Sequence, residues 1–174
     1  TGTKDMIGDM LAVAGKVHAT KGNLNNHLGV PLTVSNMPEH NDFLVAEMGM
    51  NSAGEITLLS EIVRPDIAII TRISNTHAAF FNNLSEIAEA KAEIFLGADA
   101  FGTAILPRED ELYGQLAGPA GQGLSGLAGW PDGQLPGGRE PILAYLFPAH
   151  RPPSGASTHA CKRITLGRPC TSAA

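Results

Sequence analysis

Two short runs constrain the fold of this chain more than anything else in it. Asp42–Met48 (DFLVAEM) and Asp66–Ile73 (DIAIITRI) are apolar on both faces over several residues. A strand with one wet face would alternate, so these runs read as strands of a parallel sheet covered on both sides. Parallel strands need a crossover of about a dozen residues or more, usually a helix. The segments after them meet that demand. Gly54–Val63 reads as a helix that stops before Arg64-Pro65, and Leu84–Leu96 as another, closed by Gly97 as its C-cap. Gly102–Leu106 is a third strand and Glu109–Leu116 a short helix. Towards the start, residues 3–17 read as a helix, with Met6, Met10 and Val13 on one stripe and Ile7, Leu11 and Ala14 on the next. After Lys21-Gly22 a second helix spans Asn25–Met37, provided Pro31 falls in its first turn. The class is α/β: a mostly parallel sheet flanked by helices, with right-handed crossovers.

In such sheets ligands bind beyond the carboxyl ends of the strands. Three residues draw attention there. Glu47 ends an apolar strand and is followed by Gly49, where backbone can approach a ligand. A hard cation such as Mg²⁺ suits this oxygen donor, although a carboxylate surfacing at a strand end is also common. His77 follows the second strand and is either a loop histidine or a metal ligand. Lys91 lies on the helical stripe of Leu84, Ile87, Ala88, Ile94 and Phe95. An unpaired ammonium on a buried face costs several kcal/mol, of the order of the penalty for burying an ion. Either its head reaches water, solvated by Glu86, Glu89 and Glu93, or it has a partner. A third outcome is reaction with carbon dioxide to a carbamate, which turns a misplaced cation into a metal-binding anion. The turn Gly22-Asn23-Leu24-Asn25-Asn26 opens a helix with amide donors that suit an anion, or supplies an ordinary asparagine cap. His18, His27 and His40 show no metal-ligand spacing and read as surface residues.

Composition divides the chain. Residues 1–113 hold 7 Lys+Arg against 15 Asp+Glu, and 114–174 hold 5 against 2, a swing from −8 to +3. The second part is crowded with glycine and proline and has no sustained period, which places a boundary near Tyr113. It reads as poorly structured, either a Pro/Gly-rich disordered appendage or the product of a shifted reading frame in a GC-rich gene. The acidic balance of the whole gives no electrostatic footprint for nucleic acid. No signal peptide is visible, and no apolar run approaches the roughly 20 residues that span a bilayer. Both cysteines, Cys161 and Cys170, fall in the last stretch, so the remainder fits a reducing compartment as well as any other. A start at Thr1 rather than methionine suggests that something upstream is missing.

The blocks TGTKDMIGDML, GNLNNHLGVPLT, EMGMNSAGEI, RPDIAIIT and IAEAKAEIF, in this order and spacing, resemble the central ATP-binding domain of the Mur ligases. The resemblance covers Thr1 to about Tyr113. It implies a phosphate-loop NTPase-like fold, truncated here, in a cytoplasmic and monomeric ligase of peptidoglycan precursor synthesis. ATP would phosphorylate the terminal carboxylate of UDP-N-acetylmuramoyl-tripeptide, and the amine of D-alanyl-D-alanine would attack the acyl phosphate. By matching motif, Thr1 resembles the phosphate-loop threonine that helps hold magnesium and Glu47 the magnesium-binding glutamate. His77 resembles a histidine associated with a second metal, and Lys91 the lysine carbamylated in relatives. Asn25 and Asn26 resemble asparagines near the substrate and phosphates. The chain departs from the family in lacking the glycines and lysine of the phosphate loop and both outer domains. It also reads HAAFFNN after His77, where an acidic residue and a glycine turn are usual. The resemblance therefore implies a fragment that is inactive alone. A folylpolyglutamate synthase-type ligase and a non-catalytic nucleotide-binding module are the competing readings.

Overall fold

The structure, a computed structural model, describes residues 1–74, 80–98, 102–123, 126–130 and 143–148. Helix α1 (Gly2–Ala12) leads to strand β1 (Val17–Ala19), and helix α2 (Gly29–Ser35) to strands β2 (Phe43–Val45) and β3 (Glu47–Met48). Helix α3 (Glu55–Val63) precedes β4 (Ile67–Ile70). Helices α4 (Leu84–Ala92) and α5 (Ile94–Gly97) precede β5 (Thr103–Pro107). Helix α6 (Tyr113–Gly123) is followed by β6 (Gly126–Trp130) and β7 (Leu143–Pro148).

The sheet has the order β1-β2-β7-β4-β5-β6, with β3 also paired to β7. The pairs β1–β2, β4–β5 and β5–β6 are parallel. Strand β7 runs antiparallel to β2, β3 and β4, so those three run the same way as one another. Thus β7 is the one reversed strand among the described residues, and it joins β1–β2 to β4–β5–β6. The core beside the sheet is built from Ile56, Leu59, Ile70, Ile87, Ile94, Leu106 and Leu116, all at most 1% exposed. Burying one such side chain contributes about 1.5–3 kcal/mol.

Several elements differ from the sequence expectation for local reasons. The first helix ends at Ala12 rather than 17, and β1 takes Val17–Ala19. A Cβ on Gly15 would stand 2.7 Å from Asp42 Oδ2, and that carboxylate accepts the Lys16 amide at 2.9 Å. The chain is therefore pulled onto β2 before the helical pattern runs out. The helix expected from Asn25 starts at Gly29, because Asn26 Oδ1 accepts from Leu28 N at 3.1 Å and Gly29 N at 2.9 Å. Pro31 then falls in its first turn. The long helix expected over Leu84–Leu96 is divided at Glu93.

Gly97 is the last residue of α5, and Ala98 caps it. What Gly97 supplies is proximity: a Cβ there would stand 2.2 Å from the Ser60 carbonyl carbon of α3. The helix expected at Glu109–Leu116 begins instead at Tyr113 and continues through Pro119 to Gly123. Asp110 holds the preceding turn by accepting from Leu112 N at 3.0 Å and Ile73 N at 3.1 Å. Strands β6 and β7 lie in the Gly/Pro-rich part of the chain, where no period announced them. Among the described residues no helix is long and apolar enough to cross a membrane.

Candidate functional site

Strands β1 and β2 end side by side, at Ala19 and Val45. Thr20, the residue after β1, and Glu47, two residues after β2, meet at this carboxyl edge, where Thr20 Oγ1 accepts the Glu47 amide at 3.1 Å. Glu47 is 5% exposed. A buried carboxylate is tolerated only when its oxygens find donors or cations. Oε1 accepts from Asn25 Nδ2 at 2.9 Å and from the Thr1 hydroxyl at 3.4 Å. Oε2 accepts no hydrogen bond among the described residues, and the Thr1 amino nitrogen lies 3.3 Å from it. Helix α1 thus begins against the carboxylate, and its N-terminal dipole favours negative charge there.

Asn25 is held on both sides. Its carbonyl accepts the Gly49 amide at 2.7 Å, and a Cβ on Gly49 would stand 3.0 Å from its carboxamide carbon. The close approach that glycine permits at 49 is therefore made by Asn25. Asn26 caps the start of α2 through its Oδ1. Beside them a recess of about 220 Å³ is lined by Asn25, Asn26, His27, Gly49, Asn51 and Glu55. His27 and His40 are exposed, but His18 is half-buried in β1 with Nε2 2.9 Å from the Thr33 carbonyl, not a surface residue.

The structure brings Thr1, Asn25 and Glu47 together. Lys91 is 2% exposed, so its head does not reach water. The three glutamates near it have partners of their own. Glu86 accepts from Asn82 and Asn83, Glu89 from Gln115 at 3.0 Å, and Glu93 from the start of α3. His77 lies outside the described residues. Among the described residues no group of three or more His, Cys, Asp or Glu is placed to hold a metal.

Two contributors were not singled out from the sequence. Lys4 is 2% exposed and donates to the Thr20 carbonyl at 2.6 Å. Its position, three before Ile7 and seven before Leu11, is the same signal that singled out Lys91. Thr20 carried no signal, because its role depends on two strands ending together.

Residues 1–122 match the family model of the Mur ligase middle domain. Over 112 residues the chain is 46% identical to the UDP-N-acetylmuramoyl-tripeptide–D-alanyl-D-alanine ligase of Bacillus subtilis, covering 64% of this chain and 24% of that one. Among solved structures, MurF from Acinetobacter baumannii superposes with a TM-score of 0.70 at 33% identity, over 75% of this chain and 28% of that one. The MurF ligase of Thermotoga maritima in complex with ADP gives a TM-score of 0.65 at 27% identity, over 75% and 30%. The chain spans about a quarter of the length of the Bacillus relative.

Proposed function

Because the chain belongs to the Mur ligase middle-domain family, we propose that it is part of the ATP-binding core of an enzyme joining D-alanyl-D-alanine to UDP-N-acetylmuramoyl-tripeptide. The observation that carries this reading is the buried Glu47 carboxylate, held by Asn25 and Thr1 at the carboxyl edge of the sheet, with one oxygen accepting no hydrogen bond. In the proposed reaction the γ-phosphoryl group of ATP passes to the terminal carboxylate of the tripeptide, leaving ADP and an acyl phosphate. The amine of D-alanyl-D-alanine attacks that carbonyl, loses a proton, and phosphate departs from the tetrahedral adduct. Such chemistry rests on positioning and charge neutralisation.

Glu47 and the Thr1 hydroxyl are hard oxygen donors of the kind Mg²⁺ takes, and they would hold it. Magnesium would neutralise phosphate charge. Asn25 keeps the carboxylate turned to the edge, and Asn26 sets the start of α2 beside the recess. Lys91, at 2% exposure, is proposed as the carbamylated lysine: its neutral amine adds to CO₂, an N–C bond forms, and one proton leaves. His77 is proposed as a ligand of a second metal on the resemblance alone. A monomer working in the cytoplasm, where ATP and the nucleotide-linked precursor meet, belongs to the same proposal.

Residues 1–174 by themselves are proposed to be inactive, since they span about a quarter of the length of the Bacillus relative. The part beyond about residue 113 contributes α6, β6 and β7 to this fold; a shifted reading frame within it is proposed from its Gly/Pro-rich composition, which translating the coding DNA in all three frames would decide.

Manganese binding, followed by electron paramagnetic resonance with and without ADP, tests the site. Wild type should bind Mn²⁺ and bind it more tightly with ADP, and Glu47→Gln should lose about tenfold or more, the scale of losing one charged contact. Equal binding by both proteins removes Glu47 from the role. Phosphate release by the chain with ATP, magnesium and both substrates would overturn its inactivity.

A further inference from the structure

We propose that Lys4 is a positioning residue for the Glu47 carboxylate. The inference rests on the reading of Glu47 as the working carboxylate, but its geometry stands separately. Lys4 projects from α1 and is 2% exposed. Its ammonium donates to the Thr20 carbonyl at 2.6 Å and the Gly22 carbonyl at 3.4 Å, and lies 3.0 Å from Asp5 Oδ1. Burying an ammonium is costly, and an apolar side chain of similar volume can fill such a space as well or better. What methionine cannot do is hold two carbonyls on either side of Lys21.

Those carbonyls belong to the loop that presents Asn25. The loop leaves the sheet at Thr20, whose amide donates to the Val45 carbonyl at 3.0 Å and whose hydroxyl accepts the Glu47 amide. It turns at Gly22 (φ 54°) and closes with Leu24 N on Lys21 O at 3.2 Å. It returns at Asn25, which donates to Glu47 Oε1 and accepts from Gly49 N. Both ends of the loop are therefore tied to residues 45–49, and Lys4 ties its first end, at Thr20, and its turn, at Gly22, to α1. Helix α1 sets the carboxylate twice, through Thr1 directly and through Lys4 by way of Asn25.

The test is NMR of the whole chain, read at the Asn25 side-chain amide. In Lys4→Met that signal should lose its hydrogen-bonded shift and its protons should exchange with water about tenfold faster, while core amides such as Ile87 and Leu106 keep their protection. A core control, Ile56→Val, should lower stability without moving the Asn25 signal. An unchanged Asn25 signal in Lys4→Met reduces Lys4 to space filling and overturns the proposal. The wild-type chain gives a second reading that needs no folded variant. There the Lys4 ammonium protons should exchange slowly and couple through the hydrogen bond to the Thr20 carbonyl, and exchange at bulk rates would overturn the proposal equally. Neither measurement depends on metal or turnover, so failure of the ligase reading would appear in the manganese titration and not here.

Discussion

Glu93 offers the sharpest test of how the helices beside the site are fixed. Its carboxylate sits between α4 and α5 and accepts three bonds from the start of α3: Gly54 N at 2.6 Å, Thr57 N at 3.1 Å and Thr57 Oγ1 at 3.2 Å. It thus does from another helix what a cap residue does locally, since Gly54 has no side chain to offer. A hydrogen bond to a charged group contributes about 1.5–3 kcal/mol net. Gly54 N is exposed and Thr57 only half-buried, so water can replace part of what is lost. Truncating an N-cap costs about 0.5–2 kcal/mol, and the helix dipole adds about 0.3–1. Glu93→Ala should therefore cost about 1–3 kcal/mol. With a urea slope of about 1–3 kcal/mol/M, the midpoint should fall by roughly 1 M at unchanged slope. Glu93→Gln, which keeps one carbonyl acceptor and loses the charge, should recover about half. The Thr57 amide should exchange faster in both. A loss below about 0.5 kcal/mol in Glu93→Ala, the scatter of ordinary surface changes, would refute the capping argument.

Three further outcomes follow from the same packing. Gly97→Ala should cost about 1–3 kcal/mol by overpacking, because its Cβ would meet the Ser60 and Glu61 backbone rather than a movable side chain; an unchanged urea midpoint would mean that α5 can shift freely off α3. Hydrogen bonds from the Asn82 backbone, then from the Asn82 and Asn83 side chains, hold the Glu86 carboxyl below the ordinary glutamate range. The folded form therefore binds its proton less readily than the unfolded chain does, so Glu86 stabilises fully above the unfolded value and loses this as pH falls through the folded one. The advantage of wild type over Glu86→Gln should shrink on acidification in paired urea titrations, and a constant advantage would count against it. Tyr145→Pro removes a donor from the strand between β2 and β4, so the amides of Phe43–Val45 and Ile67–Ile70 should lose exchange protection together; if they do not, β7 is not what joins the two halves of the sheet.

The sequence by itself determined the class of fold, because a strand buried on both faces must be apolar on both faces. DFLVAEM and DIAIITRI show that pattern without any neighbour being known, and both became strands of the sheet. It also set Lys91 on an apolar stripe, leaving open whether its head reached water, and the structure buries it at 2% exposure. Glu47, expected at the end of one strand, instead opens the two-residue β3 after a break at Ala46. The boundaries were less legible. Asp42 pulling on Lys16, Asn26 capping α2 and Glu93 breaking a long helix are contacts that no local period carries. Strand β1 is three residues long, too short to show a period, and β7 takes its place through backbone pairing, which leaves little trace in side-chain type. Only the tertiary structure could place Thr1, Asn25 and Glu47 within hydrogen-bond reach across 46 residues of chain. Only it could show that Lys4 grips the loop between them. A side chain's environment along its own helix or strand is written in its neighbours in sequence; the direction of a hydrogen bond between distant segments is decided where those segments meet.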